Sequence, residues 1–233
     1  YLEKYAIYDI RSEQQPQLVK LPPNPAPSYR INGGSSALIN TLTTIIPKEN
    51  ILFNQAVSVI HQLSDHEILI KTNQSTFTTN IVISTLPPYL LTSTIDIQPT
   101  LPSSLLSIAQ HTHTWMGESI KVGFSYKKPF WREKNTSGTF FSSAGPITEF
   151  YDHANYEDNL FALKGFVNGD YHSLSKEDRL NAILMQLRKY YGNVVDDYIE
   201  YKEVVWRTEK ETFVDYESFV SAHQNNGHPL YQQ

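Results

Sequence analysis

The pattern that most constrains the fold is a series of short apolar segments followed by one helix-like segment in the second half of the chain. The strand candidates are ESIKVGFSY (118–126), SGTFFSS (137–143), ITEFYD (147–152) and NLFALKGFV (159–167). The segment at 175–192 is typical of a helix, because Ser175 can cap its start, acidic residues follow, basic residues occupy its last turn, and Gly192 ends it. These signals predict a mixed α+β chain with antiparallel strands and few helices.

The first half of the chain adds two helices and further strands. Residues 35–46 place apolar side chains at near-helical spacing before Pro47, and residues 101–110 have a proline near a helix start and an apolar face. Further strand candidates are 51–63, 65–72, 76–85 and, near the other end of the chain, 195–209. The Pro-rich segment 14–28 has no periodicity and is predicted to be an irregular connector.

Composition narrows the classes of partner. The 233 residues contain no cysteine, which removes disulfides and thiolate chemistry and fits a reducing, cytoplasmic compartment. The net charge is -5 and the basic residues are scattered, so we expect no nucleic-acid partner, since phosphate binding needs a concentrated basic face. No apolar run approaches the roughly 20 residues that span a bilayer, so no membrane span is predicted.

His111 and His113 are the metal candidate in this sequence. On a strand they would share a face, as metal ligands can, but no third ligand is obvious nearby. We therefore expect solvated histidines and no metal. The Walker, Gly-x-Ser-x-Gly and His-Glu-x-x-His motifs do not occur in the sequence either.

Lys121 stands out because it interrupts an apolar strand candidate. Ile120, Val122 and Phe124 would share one face of that strand, with Lys121 and Gly123 on the other. A strand lysine that points to solvent is the simpler interpretation. The alternative is a buried ammonium held for a chemical purpose.

Gly33 and Gly34 directly precede the helix predicted at 35–46. They do not complete the Gly-x-Gly-x-x-Gly dinucleotide fingerprint, which also requires a preceding strand and a later acidic residue. On pattern alone, a tight turn with Ser35 as the helix cap is favoured over a cofactor loop.

The order of several segments resembles the flavin-containing amine oxidases, the family of monoamine oxidase and of bacterial amino-acid and polyamine oxidases. The matching segments, which together span about residues 28–216, are RINGGSSALINTL (30–42), QAVSVI (55–60), IVISTLPPYL (81–90), IQPTLP (97–102), GESIKVGFSYKKPFWR (117–132), SGTFF (137–141), NLFALKGFVNG (159–169), EDRLNAILMQLRKYYG (177–192) and EYKEVVWRTE (200–209). The ISTLPP and IKVGFSYKKPFWR blocks, in this order, are fairly specific for the family.

The resemblance implies a substrate-binding domain and an FAD-binding domain threaded through each other. Residues 1–30 and 89–205 would form the substrate-binding domain, with a mixed or antiparallel sheet flanked by helices. Residues 31–88 and 206–233 would belong to the FAD-binding domain. Because the family's Gly-x-Gly-x-x-Gly unit is not in this sequence, we expect an internal fragment whose partner is the missing FAD-binding segments of its own chain.

The resemblance also assigns residues to the reaction centre. In the family, the lysine that matches Lys121 sits near flavin N5 and holds a water there, and a fixed cation at that place stabilises reduced, anionic flavin. Trp206 matches a tryptophan packed near the flavin ring, and Tyr216 matches one of two aromatic residues that flank the substrate amine. We expect Lys121 to be catalytic. A plain core aromatic is the alternative for Trp206 and for Tyr216.

Other matched positions concern the pocket and the cofactor. Phe166 matches a pocket-lining aromatic residue, and Glu149 stands where monoamine oxidases carry a gating side chain. Val57 matches a residue whose backbone meets the adenine portion of the cofactor. Gly33 and Gly34 match the point where the chain re-enters the flavin domain, close to the ring system.

The implied activity is FAD-dependent oxidation of a small amine-like substrate, either an amine or an amino acid. Hydride would leave the substrate carbon for flavin N5, and oxygen would reoxidise the flavin and give hydrogen peroxide. Asp215 stands where monoamine oxidases have the cysteine that holds flavin covalently, so FAD would bind non-covalently. The fragment alone is expected to be inactive and without FAD. The alternatives are a non-catalytic binding domain on the same scaffold and a flavin-dependent desaturase or porphyrinogen-oxidase-like enzyme.

Overall fold

The computed structural model describes residues 4–11, 15–22, 29–114, 117–133, 136–216 and 220–232. The chain falls into two compact units, each built from segments that are distant in sequence. The first unit is Tyr1–Ile39 with Glu118–Trp206, and the second is Asn40–Gly117 with Arg207–Gln233. Residues 89–117 thus lie in the second unit, whereas the sequence interpretation groups them with residues 118–205 in the predicted substrate-binding domain. The assignment of a substrate-binding and an FAD-binding domain stays a prediction.

In the described residues the helices and strands follow each other as β1 (Tyr5–Asp9), β2 (Gln17–Lys20), α1 (Ser35–Ile45), β3 (Val57–Ser64), β4 (Glu67–Thr72), β5 (Thr76–Thr79), α2 (Pro88–Thr94), β6 (Asp96–Gln98), α3 (Ser103–Gln110), β7 (Ile120–Tyr126), β8 (Thr136–Ser142), β9 (Ile147–Asp152), β10 (Phe161–Val167), α4 (Lys176–Tyr191) and β11 (Tyr198–Val205). This content of helices and mixed sheets confirms the predicted α+β class. None of the helices in this part of the chain is long and apolar enough to cross a membrane.

The described strands of the first unit form one seven-stranded sheet in the order β11-β7-β10-β9-β8-β1-β2, called the large sheet below. Neighbouring strands are antiparallel except for β1 and β8, which run parallel. Strand β7 shows the alternation that the sequence predicts. Ile120, Val122 and Phe124 are buried, while Lys121 and Gly123 are half-buried on the opposite face.

The buried face of the large sheet packs against α4. Ile183 and Leu187 of this helix form one core cluster with Phe124, Phe150 and Leu163 of the sheet, and each of the five side chains is at most 1% exposed. Burial of a large apolar side chain contributes about 1.5–3 kcal/mol relative to leaving it exposed. The sheet face that does not contact α4 is therefore the one on which polar residues can be placed at low cost.

The described strands of the second unit form a four-stranded sheet in the order β5-β4-β3-β6. The pairs β3–β4 and β4–β5 are antiparallel, and β3 and β6 are parallel. Helices α2 and α3 lie against each other in the same unit. The helices predicted from 35–46, 101–110 and 175–192 are all present, with ends that differ by one or two residues.

Several element predictions are wrong in part, and the strands predicted at 51–63 and 195–209 are shorter, at Val57–Ser64 and Tyr198–Val205. The segment 14–28, predicted to be irregular, contains β2, whose four exposed residues become a strand through hydrogen bonds to β1 and not through side-chain alternation. The strand predicted at 76–85 ends at Thr79. Ile81 and Ile83 are 68% and 85% exposed, and no strand in the described part of the chain pairs with them.

One buried ion pair joins α4 to the edge strand β11. The guanidinium of Arg179 contacts both carboxylate oxygens of Glu203, at 2.7 and 3.1 Å, and both side chains are only 7% exposed. Burial raises the pKa of Glu203, but hydrogen bonds from Arg179 and Tyr201 outweigh that effect, so the pKa of Glu203 lies below its usual value. The pair holds β11 beside β7 on the α4 side of the sheet.

Replacing Arg179 by Met should lower the free energy of unfolding by about 3–5 kcal/mol, because Glu203 is then buried without its cation. Arg188→Met on the same helix is the matched control, since Arg188 pairs with Asp196 where the two side chains are 42% and 37% exposed, and this change should be almost neutral. Denaturant unfolding of both variants measures the difference. Equal effects would show that the Arg179–Glu203 pair does not stabilise the fold.

Candidate functional site

The face of the large sheet opposite α4 carries three of the residues predicted for the site. It is called the polar face below. At one level of this face the strand register aligns a side chain from each of six strands, in the order Val204, Lys121, Phe166, Glu149, Phe141 and Tyr8. Directly opposed residues on neighbouring strands have Cβ atoms roughly 4.5–5.5 Å apart. The row therefore brings Lys121, Phe166 and Glu149 together.

Lys121 lies against the Phe166 ring. Its Nζ is 5.1 Å from the ring centroid, a distance at which the ring quadrupole attracts a cation. Among the described residues, no carboxylate lies within ion-pair distance of Lys121. Lys121 is thus neither fully solvated nor neutralised by an acid, and its charge is available to a ligand on the polar face.

Glu149 is held by its neighbour Tyr151 on the same strand. The Tyr151 hydroxyl donates a hydrogen bond of 2.7 Å to Oε2 of Glu149. Burial and this acceptor raise the pKa of Tyr151 above its ordinary value, so the hydroxyl stays protonated and remains a donor. The Phe141 ring packs edge-on against Tyr151, with 6.0 Å between centroids. The carboxylate of Glu149 is thereby oriented, and its second oxygen can accept from a bound cation.

Trp206 follows directly after β11 in the first unit. Its backbone N–H donates to the carbonyl of Ser119 at 3.2 Å, which continues the β11–β7 pairing by one residue. The indole Nε1 is buried and has no acceptor among the described residues. A buried N–H of this kind needs an acceptor, and a bound ligand can supply one.

Two residues of the polar face escaped the sequence interpretation. Tyr151 orients Glu149. Lys164 precedes Phe166 by two positions on β10, so Lys164 and Phe166 point to the same face as Lys121. The signal was present in LKGFV, because alternate strand residues point to the same side. Lys164 was not predicted as a site residue, because the family resemblance assigns a role in this segment only to Phe166.

Gly33 and Gly34 form a turn that leads into α1. Their φ angles are +80° and +76°, which glycine adopts without steric cost. The N–H of Gly34 donates to the carbonyl of Ile31 at 2.9 Å, and the carbonyl of Gly34 accepts from Ala37 at 3.1 Å. A Cβ added at Gly34 would meet no atom within 4 Å. The local structure is the predicted turn, and the backbone beside Gly34 is open to a ligand.

Val57 and Tyr216 belong to the second unit. Val57 begins β3 and lines a cavity of about 680 Å³ together with residues that include Asn73, Ser84 and Thr85. This volume lies in the range of small-molecule sites, roughly 300–1,000 Å³. The cavity combines aliphatic side chains with hydroxyl and amide groups, a composition that suits the adenosine part of a dinucleotide.

The ring of Tyr216 packs between two other rings of the second unit. Tyr89 lies edge-on to it and His113 is stacked on it, each with 5.8 Å between centroids. The Tyr216 hydroxyl donates to the carbonyl of Thr112 at 2.8 Å and accepts from the N–H of Thr114 at 2.9 Å. Its role towards a substrate stays a prediction.

The predicted histidine pair does not form a metal centre in the described residues. No group of three or more His, Cys, Asp or Glu side chains in this part of the chain could hold a metal ion. The imidazole Nδ1 of His111 instead contacts the carbonyl of Ser107 at 2.8 Å.

The residues fit a flavin cofactor. In the first unit, the buried indole N–H of Trp206 could donate to an acceptor on the flavin ring, and the ammonium of Lys121 could stabilise its reduced, anionic form. In the second unit, the cavity at Val57 can take a nucleoside.

Comparison with known proteins identifies relatives of this chain. Residues 10–231 match the family described as "Flavin containing amine oxidoreductase". Putrescine oxidase from Kocuria rosea is 28% identical over 197 residues, which cover 78% of this chain and 41% of that protein. Flavin-containing amine oxidase B from Homo sapiens is 26% identical over 185 residues, covering 76% of this chain and 35% of that protein.

The fold of this chain is also similar to solved structures of amine oxidases. The structure of putrescine oxidase described as "wild type bound to Putrescine" has a TM-score of 0.69 at 29% identity, over 80% of this chain and 42% of that one. The chain thus spans less than half the length of the relatives it matches. It belongs to the flavin-containing amine oxidoreductase family.

Proposed function

We propose that this chain forms part of an FAD-dependent oxidase whose substrate is an amine or an amino acid. The observation that carries the proposal is the row Lys121–Phe166–Glu149 on the polar face, beside Trp206, in a member of this family. The substrate carbon next to nitrogen would lose a hydride, and water would hydrolyse the resulting imine to a carbonyl compound and ammonia or an amine.

FAD bound to the whole protein would supply the acceptor for that hydride, and dioxygen would take up the two electrons with two protons as hydrogen peroxide. We propose non-covalent binding, because Asp215 stands where the resemblance to monoamine oxidases would place the cysteine that holds flavin. The buried indole N–H of Trp206, which has no acceptor among the described residues, supports a contact to the ring system.

Lys121 is the proposed catalytic residue. Its ammonium has no carboxylate partner in the described residues, so its charge acts on whatever binds at the polar face. A fixed cation stabilises negative charge that develops as electrons pass to an acceptor and then to oxygen. Phe166 keeps this ammonium in place and adds an apolar surface for the substrate carbon chain.

Glu149 is the proposed anchor for a positive group of the substrate that lies away from the reacting carbon. Its oriented carboxylate faces the same side as Lys121, one strand beyond Phe166. A charge-assisted hydrogen bond to an ammonium contributes about 1.5–3 kcal/mol. Such an anchor would favour a substrate with two amino groups, as putrescine has.

In the flavin-loaded full-length protein, Lys121→Met should slow reoxidation by oxygen by about 10- to 100-fold, because the cation that stabilises the developing charge is lost. Stopped-flow mixing of the reduced protein with oxygen measures this rate. Lys202→Met is the matched control, since Lys202 is 77% exposed and paired with Glu200 at 3.2 Å, and it should leave the rate unchanged.

An unchanged oxidative rate in Lys121→Met would remove Lys121 from the mechanism. A full-length wild-type protein that purifies without flavin and makes no peroxide with amines or amino acids would overturn the proposed function as a whole. The non-catalytic binding domain would then be the better interpretation.

Glu149→Gln should lower kcat/KM for putrescine by about 10- to 100-fold and leave kcat/KM for 1-aminobutane nearly unchanged, because only putrescine has a second ammonium for the carboxylate. Initial rates of peroxide formation at varied substrate concentration measure both values. Equal losses for the two amines would contradict the anchoring role and indicate a general defect of the site.

A further inference from the structure

A second lysine occupies the polar face beside the proposed catalytic row. Lys164 lies directly opposite Gly123 of β7 on one side and Tyr151 of β9 on the other. It therefore belongs to the next row of side chains, diagonal to Lys121 and to Glu149. Diagonal neighbours on paired strands lie roughly 7–8 Å apart, so one small ligand can contact residues of both rows.

Lys164 is half-buried without an acidic partner. No carboxylate in the described residues lies within ion-pair distance of its ammonium. Burial lowers the pKa of Lys164, and the positive charges of Arg30 and Lys121 lower it further. A half-buried ammonium among other cations is unfavourable unless an anion joins it.

Asp152, on the neighbouring strand β9, already has cationic partners. Asp152 accepts from Nε of Arg132 at 2.7 Å, and its backbone carbonyl accepts from Nη2 of Arg30 at 2.7 Å. His153 cannot supply negative charge, and its pKa is lowered by burial first and then by Lys164 and Arg30. The described residues thus place no carboxylate within ion-pair distance of Lys164, and an anionic group of a ligand can fill that role.

Gly123 leaves room for that ligand. It lies directly opposite Lys164, and a Cβ added there would meet only the carbonyl oxygen of Leu163, at 3.9 Å. A larger residue at position 123 would project from the same face between Lys121 and Lys164. The missing side chain creates a gap one residue wide. Lys121 and Lys164 border it, and Lys202, which is exposed and paired with Glu200, lies on its other side.

We infer that Lys164 is a specificity residue that binds a carboxylate group of the substrate in the gap above Gly123. The inference rests on the proposed oxidase reaction. It goes beyond that proposal because it predicts that the site prefers amino acids to simple amines. With Glu149 on the neighbouring strand as the anchor for a second ammonium, the best substrate is an amino acid with a basic side chain.

Four related compounds separate the two anchors in the flavin-loaded full-length protein. Ornithine has a carboxylate and a second amino group, putrescine only the second amino group, norvaline only the carboxylate, and 1-aminobutane neither. Lys164→Gln should lower kcat/KM for ornithine and norvaline by about 10- to 100-fold, mainly through KM, because a charge-assisted hydrogen bond is lost. Putrescine and 1-aminobutane should be unaffected or oxidised slightly faster.

Two further variants exclude a general effect of charge or folding. Lys164→Arg keeps the cation and should retain most of the preference for the amino acids. Lys202→Gln removes one positive charge from a residue that pairs with Gly123 from the other side but is exposed and close to Glu200, and it should change none of the four values. Equal losses on all four compounds in Lys164→Gln, or the same profile in Lys202→Gln, would overturn the inference.

Binding of valerate, a carboxylate without an amino group, separates this inference from the proposed function. Calorimetry should show valerate binding to the wild-type protein, weakened about 10-fold or more in Lys164→Gln. If the protein oxidises none of the four compounds yet binds valerate through Lys164, the oxidase proposal fails and the carboxylate site stands. If amines are oxidised and valerate binds both proteins equally or neither, the carboxylate site is wrong and the oxidase proposal stands.

Discussion

Burial of one face of the large sheet against α4 determines which side chains are available for chemistry. Successive strand residues point to opposite faces, so placing Ile120, Val122 and Phe124 in the core forces Lys121 and Gly123 onto the polar face. A register shift of one residue would exchange the two sets. The apolar packing behind the sheet therefore positions a lysine that makes no ion pair with any described residue.

Charge on the polar face is distributed unevenly over the strands. Strands β7 and β10 each present one lysine without an ion-pair partner among the described residues, and β9 presents one carboxylate whose orientation is set by Tyr151. On β11, Lys202 and Glu200 pair with each other. In a half-buried setting, opposite charges on neighbouring strands select ligands that carry both signs in matching positions. Amino acids and diamines satisfy this arrangement to different degrees, and Lys164 is the residue that distinguishes them.

The sequence predicts the parts of this site that depend on local periodicity. Alternation in IKVGFSY places Lys121 opposite the core, and capping residues define α4, so both agree with the structure. The pairing of Phe166 with both Lys121 and Glu149 depends on strand order and register, which single-strand patterns do not contain. Strand β2 was missed for the same reason, because its hydrogen bonds to β1 define it.

A crystal structure of the flavin-loaded full-length protein tests the central claim most directly, namely that the polar face of the large sheet borders the flavin. The isoalloxazine ring should lie over this face, with Nζ of Lys121 linked to flavin N5 through a water and with the Trp206 ring in contact. A flavin bound away from Lys121, with the polar face open to solvent or covered by protein alone, would contradict it.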